Sequence, residues 1–256
     1  MTAGWRLVCV LGGLLLLLAG CGSGEDTWAR IEASGVLRVG VDPTFPPFAL
    51  AEGADVRGID VDLARALADE MGLEAQFTYF GYDGLYDALT TGQVDALISA
   101  LVVVPDRTAD VAYTGSYYDA GQFLIAPAGS DLTGMADLDG RALAVELGAL
   151  GHVEALEWQR RLPGLSVITY GSVDEALAAV AAGEAAAALV DSVSGRLYLR
   201  DHPTPRLALL AEPVTSEPYA IAVRIGDRTL HRELSAALAA LEANGELERI
   251  VARWLD

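Results

Sequence analysis

Residues Gly92–Arg107 read G-Q-V-D-A-L-I-S-A-L-V-V-V-P-D-R, and this stretch decides the expected architecture. Val94–Ile98 is a short apolar run between a glycine and a proline, which is typical of a buried strand. Ser99 marks the end of that strand. Ligands of open α/β sheets bind beyond the carboxyl ends of the strands, so Arg107 is placed to meet an anion. Its planar guanidinium suits a carboxylate, and a solvated arginine in a Pro-Asp-Arg-Thr turn is the alternative.

The sequence pattern at the N-terminus predicts an export signal. Arg6 precedes thirteen mostly apolar residues, Leu7–Ala19, a run shorter than the ~18 residues of a transmembrane helix. Leu18-Ala19-Gly20-Cys21 resembles the lipobox of bacterial lipoproteins, in which the cysteine becomes the lipid-bearing first residue of the mature protein. We therefore expect a signal peptide over residues 1–20, lipidation of Cys21, and an anchor and tether over 21–34. The alternative is a secreted protein whose cysteine simply follows the signal.

Composition excludes several classes of function. The chain has 17 basic residues, all of them arginine, against 36 acidic ones. Loss of Arg6 with the signal leaves 16 basic residues and a net charge near 16 − 36 = −20, so nucleic acid is not an expected partner. Cys9 and Cys21 are the only cysteines, which leaves no disulfide and no cysteine metal site in the mature chain. We expect no metal and no cofactor.

Beyond the signal, strands and helices alternate in two blocks. The first block has strands at Val36–Val41, Glu74–Tyr79 and Val94–Ile98, and its helices are predicted at Asp60–Met71 and Tyr82–Thr91. Extended segments follow at Ala109–Thr114 and Gln122–Ala126. The second block has strands at Ala142–Val145, Leu165–Tyr170 and Ala185–Val190, with helices at Gly148–Arg161 and after the capping box of Ser172 and Glu175. An extended run at Leu207–Leu210, a strand at Tyr219–Arg224 and two helices, Leu230–Ala243 and Glu246–Trp254, complete the chain.

These blocks predict an α/β protein with two lobes. Lobe 1 is expected over residues 35–125, lobe 2 over 126–213, and a return to lobe 1 over 214–256. Two parallel connections would then form a hinge that lets the lobes close over a ligand. Two lobes in simple tandem are the alternative that composition leaves open.

Four motifs resemble the bacterial extracellular solute-binding proteins of family 3, the polar amino-acid class of importer receptors. The motifs begin with Gly58-Ile59-Asp60 and continue with Asp95-Ala96-Leu97-Ile98-Ser99 before Pro105-Asp106-Arg107. Glu217-Pro218-Tyr219 and Asn244-Gly245-Glu246-Leu247 follow. The resemblance covers nearly everything after the signal. It implies the type II periplasmic-binding-protein fold, with two α/β lobes, a two-strand hinge and a C-terminal return to the first lobe.

The resemblance also implies a ligand site. Arg107 matches the clamp for the ligand's α-carboxylate, and Asp191 matches the partner of its α-ammonium group. Asp42 matches a position that faces basic ligand side chains, and Phe45 and Tyr82 match an aromatic pair around the side chain. The alternatives are an Asx turn for Asp42, a helix N-cap for Asp191 and core packing for the aromatic residues. The full expected set is Asp42, Phe45, Tyr82, Ser99, Ala100, Val102, Arg107, Glu146, Gly148, Ala149, Leu150 and Asp191.

Two departures from the family pattern affect this site. Val102 stands where the family usually has a serine or threonine, and Ala149 and Leu150 follow Gly148 where a hydroxyl is usual. Backbone N–H groups at that helix start can still bind an anion. If Glu146 points inward, three acids outnumber Arg107 and a cationic ligand is favoured; otherwise Glu146 is a surface acid.

We therefore expect a lipid-anchored receptor of an ABC importer, outside the cytoplasm and membrane-bound through Cys21. Its partners would be the importer permease and a small polar amino acid, with cationic amino acids included, or a related amine. The rival is an enzyme, because a dehydratase of cyclohexadienyl acids shares this scaffold. Glu146 or Asp191 would then act as a general acid. A sensory input domain is a third hypothesis.

Overall fold

The computed structural model describes residues 27–53, 55–103, 106, 109–203 and 207–256. Cys21, the signal and the first residues of the predicted tether lie outside this described part. Within it, thirteen strands form three sheets, and eight α-helices pack beside them. The helices are α1 (Thr27–Ser34), α2 (Ile59–Glu70), α3 (Tyr82–Thr90), α4 (Leu150–Arg161), α5 (Val173–Ala181), α6 (Ser192–Asp201), α7 (Arg228–Ala243) and α8 (Glu246–Leu255).

The first lobe is built on a five-stranded sheet that takes strands from both ends of the chain. Its order is β5-β1-β6-β13-β7, in which β13 pairs antiparallel with both neighbours. The strands are β1 (Val36–Val41), β5 (Glu74–Tyr79), β6 (Ala96–Leu97), β7 (Val111–Asp119) and β13 (Pro218–Arg224). A small sheet beside it contains β2 (Thr44–Phe45), β3 (Ala49–Glu52) and β4 (Asp55–Arg57).

The second lobe has a sheet of its own, in the order β10-β9-β11-β8-β12. Helix α4 packs on one face of this sheet, and α5 and α6 pack on the other. The predicted N-cap of α5 is confirmed, since the Ser172 hydroxyl accepts the N–H of Glu175 at 3.2 Å. The strands are β8 (Gln122–Pro127), β9 (Ala142–Glu146), β10 (Ser166–Tyr170), β11 (Ala187–Asp191) and β12 (Leu207–Leu209).

The position of β13 decides between the two lobe arrangements. After β12, the chain leaves the second sheet and places β13 between β6 and β7 of the first. Simple tandem lobes are therefore excluded, and two chain segments cross between the lobes. One crossing lies at Ala120–Gly121 and the other between Leu210 and Glu217.

Two elements lie differently from what the predicted boundaries suggest. The second lobe does not begin at residue 126, because Gln122–Pro127 is a buried strand that pairs with β11 and β12. The tether predicted over 21–34 is not extended throughout, because Thr27–Ser34 is a helix. Ile31 of that helix is fully buried in the core of the first lobe. An apolar face that repeats at helical spacing explains this docking.

The Gly58-Ile59-Asp60 motif has a backbone function in the fold. Gly58 has φ 141°, and a Cβ there would lie 2.1 Å from the carbonyl oxygen of Phe48. The N–H groups of Ile59 and Asp60 donate to the carbonyls of Pro47 and Phe48, at 3.0 Å each. Only glycine permits this close approach, which fixes the start of α2 against the Pro47–Phe48 turn.

No helix in the described part of the chain is long and apolar enough to cross a membrane.

Candidate ligand-binding site

Two adjoining cavities lie between the lobes. The larger has a volume of about 440 Å³ and is lined mainly by β11, α4 and α6 of the second lobe. The smaller, of about 320 Å³, is lined by the first lobe. Phe45, Glu217 and Tyr219 line both, so the two cavities form one cleft.

The cleft brings most of the predicted site residues together. Six first-lobe residues line the smaller cavity: Asp42, Phe45, Tyr82, Ser99, Ala100 and Val102. Four second-lobe residues line the larger one: Glu146, Ala149, Leu150 and Asp191. Arg107 lies outside the described residues, so its predicted part in the site stays a prediction.

Gly148 does not belong to the cleft lining. Helix α4 begins at Leu150, with Ala149 rather than Gly148 in the N-cap position. The Gly148 N–H donates to the ring nitrogen Nδ1 of His152 at 3.2 Å, and the Ala149 N–H donates to the Glu146 carbonyl at 3.3 Å. The local turn engages the Gly148 donor, and the predicted part of Gly148 in ligand binding stays a prediction.

Asp42 forms an Asx turn and also lines the smaller cavity. It directly follows β1, is 7% exposed, and its N–H donates to the Ser99 hydroxyl at 2.9 Å. Its Oδ1 accepts the N–H and the hydroxyl of Thr44, at 3.0 and 2.7 Å, which forms the Asx turn. No hydrogen bond among the described residues engages Oδ2. One carboxylate oxygen thus shapes the loop while the side chain lines the cavity.

In the second lobe, Asp191 likewise has both a structural hydrogen bond and a position in the cleft lining. Its Oδ1 accepts the N–H of Ser194 at 2.9 Å and caps α6, while the residue lines the larger cavity. The next residue, Ser192, donates its hydroxyl to the Asp119 carbonyl of β7 at 2.7 Å. The N-cap alternative for Asp191 is therefore correct, and it coexists with a position in the cleft.

Apolar and aromatic side chains stand at the mouth of the cleft, still largely exposed. Phe45 and Tyr82 of the first lobe are each 49% exposed, and Leu150 of the second lobe is 66% exposed. Phe45 stacks on buried Phe48, with ring centroids 5.7 Å apart. Exposed apolar surface on both walls favours closure of the lobes, because closure removes it from water.

Sequence reasoning missed Glu217 and Tyr219 as cleft residues. Burial raises the pKa of the Tyr219 hydroxyl well above its usual range, with nearby Glu217 and Asp191 adding to the shift, so this hydroxyl stays neutral. Glu217 is half-buried between the two cavities. The signal was present in the Glu217-Pro218-Tyr219 motif at the return to lobe 1, but the sequence does not show that this return passes the ligand cleft.

No three His, Cys, Asp or Glu side chains in the described ranges lie close enough together to hold a metal ion.

Comparison with known proteins places this geometry in a family. The model of the bacterial extracellular solute-binding proteins, family 3, matches residues 37–256. The chain belongs to this family. The predicted family and the predicted two-lobed fold of type II periplasmic binding proteins are thereby confirmed.

Individual family 3 proteins extend the comparison. The chain is 30% identical over 224 residues to ABC transporter arginine-binding protein 1 of Escherichia coli (strain K12), covering 85% of this chain and 90% of that protein. It is 28% identical over 257 residues to ABC transporter glutamine-binding protein GlnH of Bacillus subtilis (strain 168), covering 94% and 93%. Among solved structures, the Ancestral Cationic Amino Acid Solute Binding Protein is similar at 29% identity, with a TM-score of 0.63 and coverage of 90% and 100%.

Proposed function

We propose that this chain is the substrate-binding component of an ABC importer and captures a small cationic amino acid, such as arginine, in the cleft. One observation carries the proposal. Four acidic residues, Asp42, Glu146, Asp191 and Glu217, line the two cavities, whereas no arginine or histidine of the described chain does so. The chain contains no lysine.

The negative charge of the cleft explains why a cationic ligand is expected. Four acids around one cleft repel each other, and a ligand with net positive charge relieves that repulsion when it binds. A cationic amino acid carries two cationic groups and one carboxylate at neutral pH. Asp191 is the proposed partner of the α-ammonium group, and Asp42 and Glu217 are the proposed partners of the charged end of the side chain.

The aromatic residues fit the same class of ligand. A guanidinium or ammonium group between Phe45 and Tyr82 gains roughly 0.5–2 kcal/mol from each ring face. With Leu150 on the opposite wall, the bound side chain would be enclosed when the lobes close. Two of the similar proteins are named for binding arginine or cationic amino acids, which supports this class of ligand. GlnH is named as a glutamine-binding protein, so a ligand with a neutral amide side chain is the alternative.

Arg107 remains the proposed clamp for the α-carboxylate, on the basis of its motif alone. Arg107→Ala should abolish amino-acid binding with an unchanged circular dichroism spectrum. Near-normal affinity in this variant would remove the proposed clamp.

Identification of the natural ligand tests the proposal without a preselected panel. The protein is purified from its own host under native conditions, then denatured, and the released small molecules are read by mass spectrometry. Arginine, lysine, ornithine or a close relative at near-equimolar amount supports the proposal. A neutral or acidic ligand in equal amount overturns the cationic class while leaving the importer role intact.

The proposal includes a lipid anchor on Cys21, which places the protein on the outer side of a bacterial membrane beside the permease. Cys21→Ser should move the protein from the membrane fraction to the soluble extracytoplasmic fraction. A membrane-bound Cys21→Ser protein would contradict the anchor.

A role in binding rather than catalysis is part of the same proposal, in line with the relatives named above. Incubation with prephenate or arogenate should give no phenylpyruvate or phenylalanine above the rate without protein. Turnover that is lost in Glu146→Gln or Asp191→Asn would instead establish the dehydratase.

A further inference from the structure

A buried carboxylate lies outside the cleft lining and contacts it through one tyrosine. Asp60, the second residue of α2, is 1% exposed. The Tyr117 hydroxyl donates to Asp60 Oδ1 at 2.6 Å, and Tyr117 is itself buried in β7. Neither residue lines the larger or the smaller cavity.

The same hydroxyl continues to the cleft wall. The Ala100 N–H donates to the Tyr117 oxygen at 2.9 Å. A hydroxyl has one proton and two lone pairs, so donation to Asp60 leaves the Tyr117 oxygen free to accept from Ala100. The result is a continuous path from Asp60 through Tyr117 to the Ala100 backbone, with every link inside the protein.

Ala100 is held in an unusual backbone conformation. Its φ is +46°, the one positive value among the non-glycine residues that the structure describes. A side chain makes the left-handed region costly, so surrounding contacts have to maintain this conformation. Contacts on the other side help, because the Leu101 carbonyl accepts the Ala220 N–H at 2.9 Å and Val102 forms a β-bridge with Tyr219.

Ala100 and its neighbours Ser99 and Val102 line the smaller cavity. Rotation of this backbone would move the Ser99 hydroxyl, which fixes Asp42, and would redirect Ala100 into or away from the cleft. We infer that Asp60 is a positioning residue that acts through Tyr117 to hold the Ser99–Val102 segment in the conformation that receives the ligand. The inference rests on the proposed function for the identity of that ligand.

The charge of Asp60 makes this arrangement sensitive to pH. Burial raises the pKa of Asp60 to about 7, although the Tyr117 hydroxyl and, more weakly, the Ala100 backbone N–H oppose the rise. The titratable groups that face it are Tyr117 of β7 and Tyr219 of β13, and the acids Glu217 and Asp191 act on Tyr219 in turn. None of the ion pairs between described residues involves Asp60. Ionised Asp60 is the stronger acceptor, and it polarises Tyr117 so that the Tyr117 oxygen accepts the Ala100 N–H more strongly.

The experiment measures L-arginine binding by calorimetry between pH 6 and pH 8. Wild-type affinity should rise several-fold over this range as Asp60 ionises. Asp60→Asn should lose most of that rise, and Tyr117→Phe should bind about 10-fold more weakly at pH 8. Tyr113→Phe is the matched control. It removes a hydroxyl from the same strand, bonded to Tyr86 at 2.9 Å and outside both cavities, and should behave as wild type. A full wild-type pH profile in Asp60→Asn, or unchanged affinity in Tyr117→Phe, overturns the inference.

A ligand-free measurement separates this inference from the proposed function. The amide proton resonance of Ala100 should titrate with a midpoint near pH 7 in the wild type and not in Asp60→Asn. An Ala100 resonance that ignores pH, or titrates equally in Asp60→Asn, overturns the inference whatever the ligand is. If the resonance behaves as expected but no amino acid binds the wild type, the proposed ligand is wrong and the positioning contact stands.

Discussion

The carboxylate of Asp119 accepts the backbone N–H of Glu217 at 2.8 Å, and this bond joins the two segments that cross between the lobes. The same carboxylate accepts the Gly121 N–H at 2.8 Å and the Ser216 hydroxyl at 2.6 Å. Burial alone would raise the pKa of Asp119, but these three donors hold it below its usual value. The Asp119 carboxylate thus links the two crossing segments next to Glu217, which lines the cleft.

The crossing at Gly121 should not tolerate a side chain. A Cβ on Gly121 would lie 1.8 Å from the carbonyl oxygen of Thr215 on the other crossing segment. Gly121→Ala should therefore lower the free energy of unfolding by a few kcal/mol, on the order of 2–4 kcal/mol, measured in urea. Gly115→Ala, in β7 with nothing within 4 Å of the new Cβ, is the control and should change stability by less than about 1 kcal/mol. If the two variants were equally stable, the two crossing segments would be able to move apart and accommodate the added methyl group, which would contradict this close packing.

Asp95 should be the acid on which the first lobe depends most. Its fully buried side chain pairs with Arg38 at 2.7 Å and with Arg30, and Arg224 lies 3.8 Å away. Burial pushes its pKa up, but the arginine partners outweigh that effect and lower it. Removal of one partner of a buried ion pair costs ~3–5 kcal/mol, so Asp95→Ala should destabilise by about that amount.

The pH dependence of the Asp95 contribution has a fixed sign. Because the folded pKa lies below the unfolded value, the stabilisation is complete above the unfolded pKa near 4 and is lost as pH falls through the folded pKa. Urea unfolding at pH 3 and pH 6 should show a smaller gap between wild type and Asp95→Ala at pH 3. The exposed pair of Asp131 with Arg141 gives the control, Asp131→Asn, which should leave stability almost unchanged.

The contribution of Asp60 to stability should fall as the pH rises, whereas that of Asp95 increases. Its folded pKa, about 7, lies above the value near 4 of an unfolded aspartate. The stabilisation from its bound proton is therefore complete below pH 4 and is lost as pH rises through 7. The wild type should lose a few kcal/mol between pH 5 and pH 8 relative to Asp60→Asn, as an order-of-magnitude estimate. Parallel stability curves for the two proteins would show that Asp60 is ionised throughout.

Phe45 should contribute to ligand binding without stabilising the fold. It is half exposed and lines both cavities, so a ligand that covers it removes its ring from water. Phe45→Ala should weaken arginine binding about 10-fold and change the free energy of unfolding by no more than about 1 kcal/mol. Tyr79→Ala is the matched control, since Tyr79 is 46% exposed but lies outside both cavities. Equal affinity of the Phe45 and Tyr79 variants would argue against a ligand beside Phe45.

Periodicity predicted the strands of the two large sheets and most of the helices beside them, because most of these elements have a buried face that repeats regularly. It did not predict the small sheet at residues 44–57 or the helix Ser192–Asp201. It misplaced the entry to the second lobe, because the apolar run at Gln122–Ala126 reads the same in either sheet. It also treated Thr27–Ser34 as tether, although Ile31 of this helix docks in the core. A helix that packs on residues distant in sequence leaves only a weak pattern in its own short sequence.

The cleft lining was predictable where the family motifs place residues at strand ends, as for Asp42 and Asp191. Glu217 was missed because its place in the cleft depends on how the chain returns through the hinge. The conformation of Ala100 was equally hidden, since nothing local in Ser-Ala-Leu-Val announces a positive φ. It follows from Tyr117 and Ala220, which are distant in sequence.

The most direct test of the central claim compares L-arginine with L-citrulline, which has nearly the same shape but a neutral side chain, by titration calorimetry. Wild type should bind arginine with micromolar affinity, near −8 kcal/mol, and citrulline at least about 10-fold more weakly. Glu217→Gln should remove much of that preference, whereas Glu212→Gln, on the same crossing segment but outside the cleft, should keep it. Equal affinity of the wild type for arginine and citrulline would contradict a cleft that selects a cation through its carboxylates.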